Sequence, residues 1–467
     1  MNHVPVLLRK ILVVATALAA LVLPEDCAAG APDPVRPNLL LILADDLGFG
    51  DVGCQGATDL RTPHLDQLAA EGMRFANFYA NCTVCSPTRA ALMTGRYPDL
   101  VGVPGVIRTH ADDSWGWLAP GAVLLPQVLK PAGYNSALVG KWHLGLESPN
   151  LPNARGFDHF HGFLGDMMDD YNTHLRHGRN YLRLDSEVVE AQGHATDVFT
   201  DWAIEYLRDR SDQSEPFFLY LAYNAPHTPI QPRPDWLARV QAREPELDPG
   251  RARLVALIEH LDDGIGRVLA ALEENGQAGR TLVLFTSDNG GQLSVGANNG
   301  RWRGGKQDLY EGGLRVPMIV RWPGRIAPGS ESPVMALTMD LFATCAEAAG
   351  TAVPGEIEGV SLIPILLGGG SGLPSRDFVW MRREGNPRYQ GRDYFALRRG
   401  DWKLVQNTPF EPWQLFNLVE DPGEERDRAA AEAGVRWDLT RILMRHIQRA
   451  GTVPWQPPAP GGTGDQE

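Results

Sequence analysis

In Leu39-Leu40-Leu41-Ile42-Leu43-Ala44-Asp45-Asp46-Leu47-Gly48 an unbroken aliphatic run stops at two adjacent carboxylates. A short run without polar alternation fits a strand covered on both faces, as in a parallel sheet between helices. Similar runs occur at residues 136–139, 217–222, 282–286 and 317–321. Helix-like stretches separate them. The clearest spans 253–274, with Leu257, Leu261, Ile265, Val268, Leu269 and Leu272 on one side and Gly276 closing it. The alternation predicts an α/β fold with a large, mainly parallel sheet flanked by helices.

Past residue 366 the pattern changes. Gly368, Gly369, Gly370 and Gly372 mark a connection between domains. Short runs at 378–381, 394–398, 402–406 and 414–417, then a helix near 435–449, predict a small C-terminal α+β domain with an antiparallel sheet. The predicted organisation is a signal peptide at 1–31, a catalytic domain at 37–367, a C-terminal subdomain at 376–455 and a disordered Pro/Gly-rich tail at 456–467.

At the N-terminus, Arg9 and Lys10 precede an apolar stretch from 11 to 23, and small residues follow at Ala28, Ala29, Gly30 and Ala31. The stretch is short for a bilayer span, and Pro24-Glu25-Asp26 ends it. Export to the periplasm or the medium is expected, with no stable membrane span; an uncleaved anchor is the alternative. The net charge of -14 argues against nucleic acid as a partner, while a basic pocket for a small anion remains compatible with it. Of the five cysteines, Cys27 would leave with the signal. The remaining four are too few for a disulfide framework, and none has zinc-site spacing.

Polar residues follow at once after four of the five strands. Asp45 and Asp46 follow the first, Lys141 and His143 the second, His227 the third, and Asp288 and Asn289 the fourth. In open α/β sheets, ligands bind at the carboxyl ends of the strands. If the strands are parallel neighbours, these groups converge. Asp45, Asp46, Asp288 and Asn289 are an all-oxygen set suited to a hard cation, Ca2+ in preference to Mg2+ because side-chain oxygens are crowded. Each pair alone would be ordinary turn chemistry. Cys85-Ser86-Pro87 reads as a helix start, with Ser86 as N-cap, Pro87 at the first position and Gly95 at the end. Cys85 then lies where the helix dipole favours an anion, with Arg89 on the first turn. Helix geometry leaves a thiolate nucleophile and a buried structural cysteine both open.

The run Cys85-Ser86-Pro87-Thr88-Arg89 resembles the Cys-x-Pro-Ser/Thr-Arg signature of type I sulfatases, in the alkaline phosphatase superfamily. Family-like segments follow in order across most of the chain: Asp45-Asp46-Leu47-Gly48, Gly95-Arg96-Tyr97-Pro98, Gly140-Lys141-Trp142-His143-Leu144-Gly145, Gly156-Phe157-Asp158, Ser287-Asp288-Asn289-Gly290, Gly305-Lys306, Glu311-Gly312-Gly313, Arg315-Val316-Pro317, Gly400-Asp401-Trp402-Lys403-Leu404 and Leu415-Phe416-Asn417-Leu418. The resemblance implies that Cys85 is oxidised to formylglycine by a formylglycine-generating enzyme, and that Asp45, Asp46, Asp288 and Asn289 hold Ca2+ with residue 85. It implies that Arg89 and Lys141 stabilise the aldehyde hydrate, that Lys306 grips the sulfate, and that His143 and His227 move protons. A hydrated aldehyde offers one hydroxyl to attack sulfur and a second whose deprotonation expels sulfate.

For the leaving group, Asp169, Asp170 or Tyr171 would touch substrate, or their segment is a solvated acidic loop. Trp302 would stack on a sugar ring, or pack. His64 stands in Thr62-Pro63-His64, where the family commonly has Asn, and reads as a helix-start residue. Asn81-Cys82-Thr83 formally matches a glycosylation acceptor. The expected reaction is hydrolysis of a sulfate monoester, on a sulfated carbohydrate by family precedent. The alternatives are a phosphonate monoester or phosphodiester hydrolase on the same fold, and a non-catalytic sulfated-glycan binder. The last needs a missing catalytic position, and none is missing.

Overall fold

The computed structural model describes residues 36–110, 113–369, 372–385 and 391–457. The predicted signal and most of the predicted tail lie outside the described residues. A ten-stranded mixed sheet crosses the molecule in the order Ser330–Leu337, Met73–Tyr79, Met318–Arg321, Thr281–Ser287, Asn38–Ala44, Phe217–Ala222, Asn135–Lys141, His159–Phe163, Leu182–Leu184 and Glu187–Val188. The five strands from Thr281–Ser287 to His159–Phe163 are mutually parallel, so the four that precede the candidate residues end on the same edge. Met318–Arg321 is antiparallel to both of its neighbours and turns the sheet mixed.

The central strand shows why its run is continuous. Leu39, Leu41 and Leu43 belong to the core on one face, and Leu40, Ile42 and Ala44 to the core on the other. Each fully buried Leu contributes on the order of 2 kcal/mol by leaving water. Helices Cys85–Thr94, Leu125–Leu129 and Asp340–Ala348 cover the first face. Helices Pro63–Ala70, Ala195–Asp209 and Pro249–Glu274 cover the second. The helix expected from 253 starts at Pro249, because the Asp248 side chain accepts from the Arg251 N–H as its N-cap.

A second sheet, antiparallel throughout, runs Phe378–Glu384, Arg392–Arg399, Trp402–Gln406 and Gln414–Asn417, with helix Ala433–Ala450 packed on it. It is not set apart from the rest: Trp380, Leu404 and Leu443 share one core with Tyr79, Leu309 and Leu337. At the seam, Lys403 is fully buried between Glu311 and Glu424, each 2.9 Å from its Nζ. No helix among the described residues is long and apolar enough to cross a membrane. Cys54, Cys82, Cys85 and Cys345 are free thiols. Asn81 is fully buried and its Oδ1 accepts from Thr338 Oγ1 and the Met339 N–H, so the formal glycosylation match lies inside the protein.

Candidate active site

At the carboxyl edge of the parallel strands the chain leaves each strand sharply. Asp46 and His143 adopt positive φ values of 68° and 59°, an uncommon conformation for residues with a Cβ. Gly140, at φ 102°, lets its strand pass close to Ala222: a Cβ there would lie 2.0 Å from that carbonyl oxygen. This bend delivers Lys141 and His143 to the site. The helix carrying Cys85 begins at Cys85 itself after Val84, not at Pro87, and Ser86 Oγ instead accepts from the Ile107 N–H. Gly95 ends it in the left-handed conformation, as expected.

The groups converge. Cys85 Sγ lies 3.3 Å from Asp45 Oδ1, and Asp45 Oδ2 is paired with Lys141 Nζ. Arg89 donates to Asp288 Oδ2 at 2.8 Å and reaches Asp45 at 3.4 Å. Asn289 donates from Nδ2 to Asp46 Oδ1 at 2.8 Å, and the Asp46 N–H donates to Asp288 Oδ1. Lys306 donates from Nζ to Asp46 Oδ2 at 2.6 Å and to His227 Nε2 at 3.0 Å. His227 Nδ1 is 2.7 Å from the Thr228 carbonyl, which can only accept, so Nδ1 bears the proton. By the same reasoning His143 Nε2 donates to the Ile107 carbonyl at 2.7 Å, leaving Nδ1 as a buried lone pair without a partner.

Electrostatics follow from burial and crowding. Burial alone would raise Asp45, yet Lys141, His227 and Arg89 hold its carboxyl well below the usual range. Burial and the neighbouring Asp45 push Asp288 up to about 7 against Arg89. Burial, then Lys141 and Arg89, hold His143 well below an ordinary imidazole. Burial and Lys306 lower His227, while Asp46 raises Lys306 in spite of its burial. Burial and Asp45 keep the Cys85 thiol protonated, which disfavours a thiolate nucleophile.

Asp45, Asp46, Asp288 and Asn289 suit a hard cation. The Asn289 Oδ1 is buried with no hydrogen bond, while its Nδ2 is spent on Asp46 and the Gly290 carbonyl. Asp45, Asp46, Cys85 and His227 each offer an atom within 4.8 Å of the others. An oxygen-rich, negatively charged cluster with an orphaned amide oxygen is the donor set that Ca2+ takes.

A cavity of about 330 Å3 opens over Cys85, His143, His227 and Lys306. Trp302 is not in its wall. It lies in a separate groove against Phe49, with Arg315 3.9 Å and Arg301 4.6 Å over its ring, so packing decides its position. Asp169 is not in the wall either; it accepts from Arg176 Nη1 at 2.7 Å and from the His177 N–H. Tyr171 is buried, its hydroxyl donating to the carbonyls of Asn224 and His227. The cavity is walled instead by Asp166, Arg176, Arg108, Arg382 and Glu384, which sequence reading passed over. Their only local signal was the Asp-rich turn after Phe163-Leu164-Gly165.

A sulfatase family model matches residues 37–351, and a model described as N-sulphoglucosamine sulphohydrolase, C-terminal, matches 301–448. The chain belongs to the sulfatase family, in the alkaline phosphatase-like superfamily, and is a sulfuric ester hydrolase. Human N-acetylgalactosamine-6-sulfatase is 34% identical over 92% of this chain and 88% of its own length. Human arylsulfatase A is 34% identical over 90% and 88%. The crystal structure of Ps i-CgsB in complex with k-i-k-neocarrahexaose superposes with a TM-score of 0.81 at 31% identity, covering 91% of this chain and 96% of that one.

Proposed function

We propose that this protein hydrolyses sulfate monoesters of a carbohydrate, with residue 85 matured to formylglycine and Ca2+ held by Asp45, Asp46, Asp288, Asn289 and residue 85. The observation that carries this reading is the placement of Cys85 against Asp45, itself paired with the buried Lys141, with Lys306, His143 and His227 around one cavity. When present, the aldehyde hydrate supplies a hydroxyl nucleophile and the cation supplies positive charge beside it.

The remaining work falls to side chains. Lys306 brings a cation to the cavity where sulfuryl oxygens gather charge, and Lys141 and Arg89, buried on Asp45 and Asp288, add positive charge beside residue 85. Lys306 and His227 share a hydrogen bond at 3.0 Å, so together they hold a proton at His227 Nε2 or Lys306 Nζ for the departing alcohol. His143, with Nε2 fixed on a carbonyl, presents Nδ1 as the base that takes the proton when sulfate is expelled. The same reading includes export under the signal at 1–31, maturation by a formylglycine-generating enzyme, and division of labour between 37–367 and 376–455. Mass spectrometry of the peptide carrying residue 85, from an oxidation-competent host, tests it. A fully active protein with unmodified cysteine refutes it. Faster cleavage of phosphate diesters than of sulfate esters would favour the phosphodiesterase alternative.

A further inference from the structure

The cavity over Cys85 carries charged groups that sulfuryl transfer does not use. Arg176 donates from Nε and Nη2 to Asp166, at 2.9 and 3.2 Å. Arg108 donates from Nη2 to Glu384 Oε2 at 2.9 Å and from Nη1 to the Asp113 carbonyl at 2.9 Å. All four side chains line the cavity. Arg176 and Arg108 are each matched by a carboxylate, so these two pairs add little net charge, and Arg382, the third guanidinium of the wall, stands 3.5 Å from Glu384 Oε1. What they do present is donors and acceptors already locked in place.

Glu384 sharpens the point. The residue is fully buried in the cavity wall, and its Oε1 accepts no hydrogen bond, with Arg382 Nε 3.5 Å away. A buried carboxylate oxygen left without a donor is costly, and a ligand O–H relieves that cost. A sugar ring offers several such hydroxyls around its ester, whereas an aryl or steroid skeleton offers a flat apolar face. The apolar side chains of the lining are few, Val84, Val106 and Met167, which suits the first and not the second.

Resting on the sulfatase reading above, we propose that Glu384, Arg108, Asp166 and Arg176 form the subsite that binds hydroxyl groups of a sugar ring bearing the scissile sulfate, selecting carbohydrate sulfates over aryl and steryl sulfates. The groups come from separate parts of the chain: Arg108 from the segment before helix Leu125–Leu129, Asp166 and Arg176 from the segment after strand His159–Phe163, and Glu384 from the end of strand Phe378–Glu384. The small sheet therefore contributes to the choice of substrate.

The test uses the mature, Ca2+-loaded full chain and its Glu384→Gln and Asp166→Asn variants, assayed on sulfated hexosamine and hexose oligosaccharides and on 4-nitrophenyl sulfate. Each substitution keeps side-chain size and removes a charged acceptor. On the best sugar sulfate, kcat/KM should fall at least about tenfold further than on the aryl sulfate, mainly through KM, because a site built to bind hydroxyls loses most when that pairing is broken. Deoxy analogues of that sugar should show the loss with unaltered protein and little further loss with the variants. Equal losses on both probes, which a folding fault would also give, overturn the subsite, as does no loss on any sugar. Unaltered protein that cleaves only the aryl probe overturns the subsite and leaves the sulfatase reading standing. Cleavage of neither probe refutes that reading itself.

Discussion

At residue 85 the surroundings are arranged for something other than a thiolate. Burial and Asp45 hold the thiol protonated, while Lys141, Arg89 and Lys306 are each paired with a carboxylate, Asp45, Asp288 and Asp46, rather than with a sulfur anion. Cys85→Ala should lower kcat by at least about 10^4-fold with the fold retained, measured by turnover and circular dichroism. His143 gives a pH prediction. Its folded pKa is depressed, so the imidazole stays neutral and able to accept a proton well below its ordinary value of about 6.5. The acid limb of kcat assigned to this base should therefore lie below pH 6.5, and a His143→Gln variant should lose that limb along with most of its rate. The positive φ of Asp46 and His143 belongs to the same scale. Conformational strain of this kind persists only where surrounding hydrogen bonds hold it, here Asp288 Oδ1 on the Asp46 amide and the Ile107 carbonyl on His143.

Between elements, the small sheet fixes the loop that carries Lys306. Lys403 pairs with Glu311, the Leu309 N–H donates to Asn407 Oδ1, and Arg382 donates to the Gln307 carbonyl. Lys403→Met leaves Glu311 and Glu424 facing each other without their shared cation. The expected cost is about 3–5 kcal/mol, read as a fall in the denaturant midpoint. Packing between helices is equally local in origin. A Cβ on Gly266 would meet the His64 ring at 2.4 Å, so Gly266→Ala should cost about 1–3 kcal/mol by overpacking, measured by thermal unfolding. His64 thus serves at the start of helix Pro63–Ala70, whose first amides donate to Asp262, with its ring filling the space above a glycine.

For the whole molecule, the acidic cluster links cation binding, pH and stability. Asp288 sits near 7 in the fold against about 3.9 for an unfolded Asp, so the fold prefers it protonated. Stability from this group is therefore present at low pH and is lost as pH rises from about 4 towards 7. A bound cation offsets that loss and stabilises the native state by mass action. Ca2+ should raise the melting temperature more at pH 7.5 than at pH 5, and chelation at pH 7.5 should lower both the melting temperature and the rate. Scanning calorimetry with and without chelator checks this.

Local pattern encodes one part of this protein, and contacts between distant segments encode the other. The doubly buried strands were legible because their apolar runs are too short for a helix and are bounded by turn residues, and Asp45, Asp46, Lys141, His143, His227, Asp288 and Asn289 were legible because each lies just past such a run. The convergence of these residues with Cys85 and Lys306 is a property of tertiary structure. Parallel register alone brings Asp45 to the level of Asp288 across 243 residues of chain. Packing and charge pairing between distant segments set which neighbours face the substrate: Trp302 lies under Arg315 in another groove and Asp169 sits behind Arg176, while Arg108, Asp166, Arg176 and Glu384 line the cavity. These come from loops and from short stretches of two other sheets, Leu175–Arg176 and Phe378–Glu384, where no periodicity marks a residue. Their places are set by charge pairing and by the packing of two sheets, and both act between segments far apart in the chain.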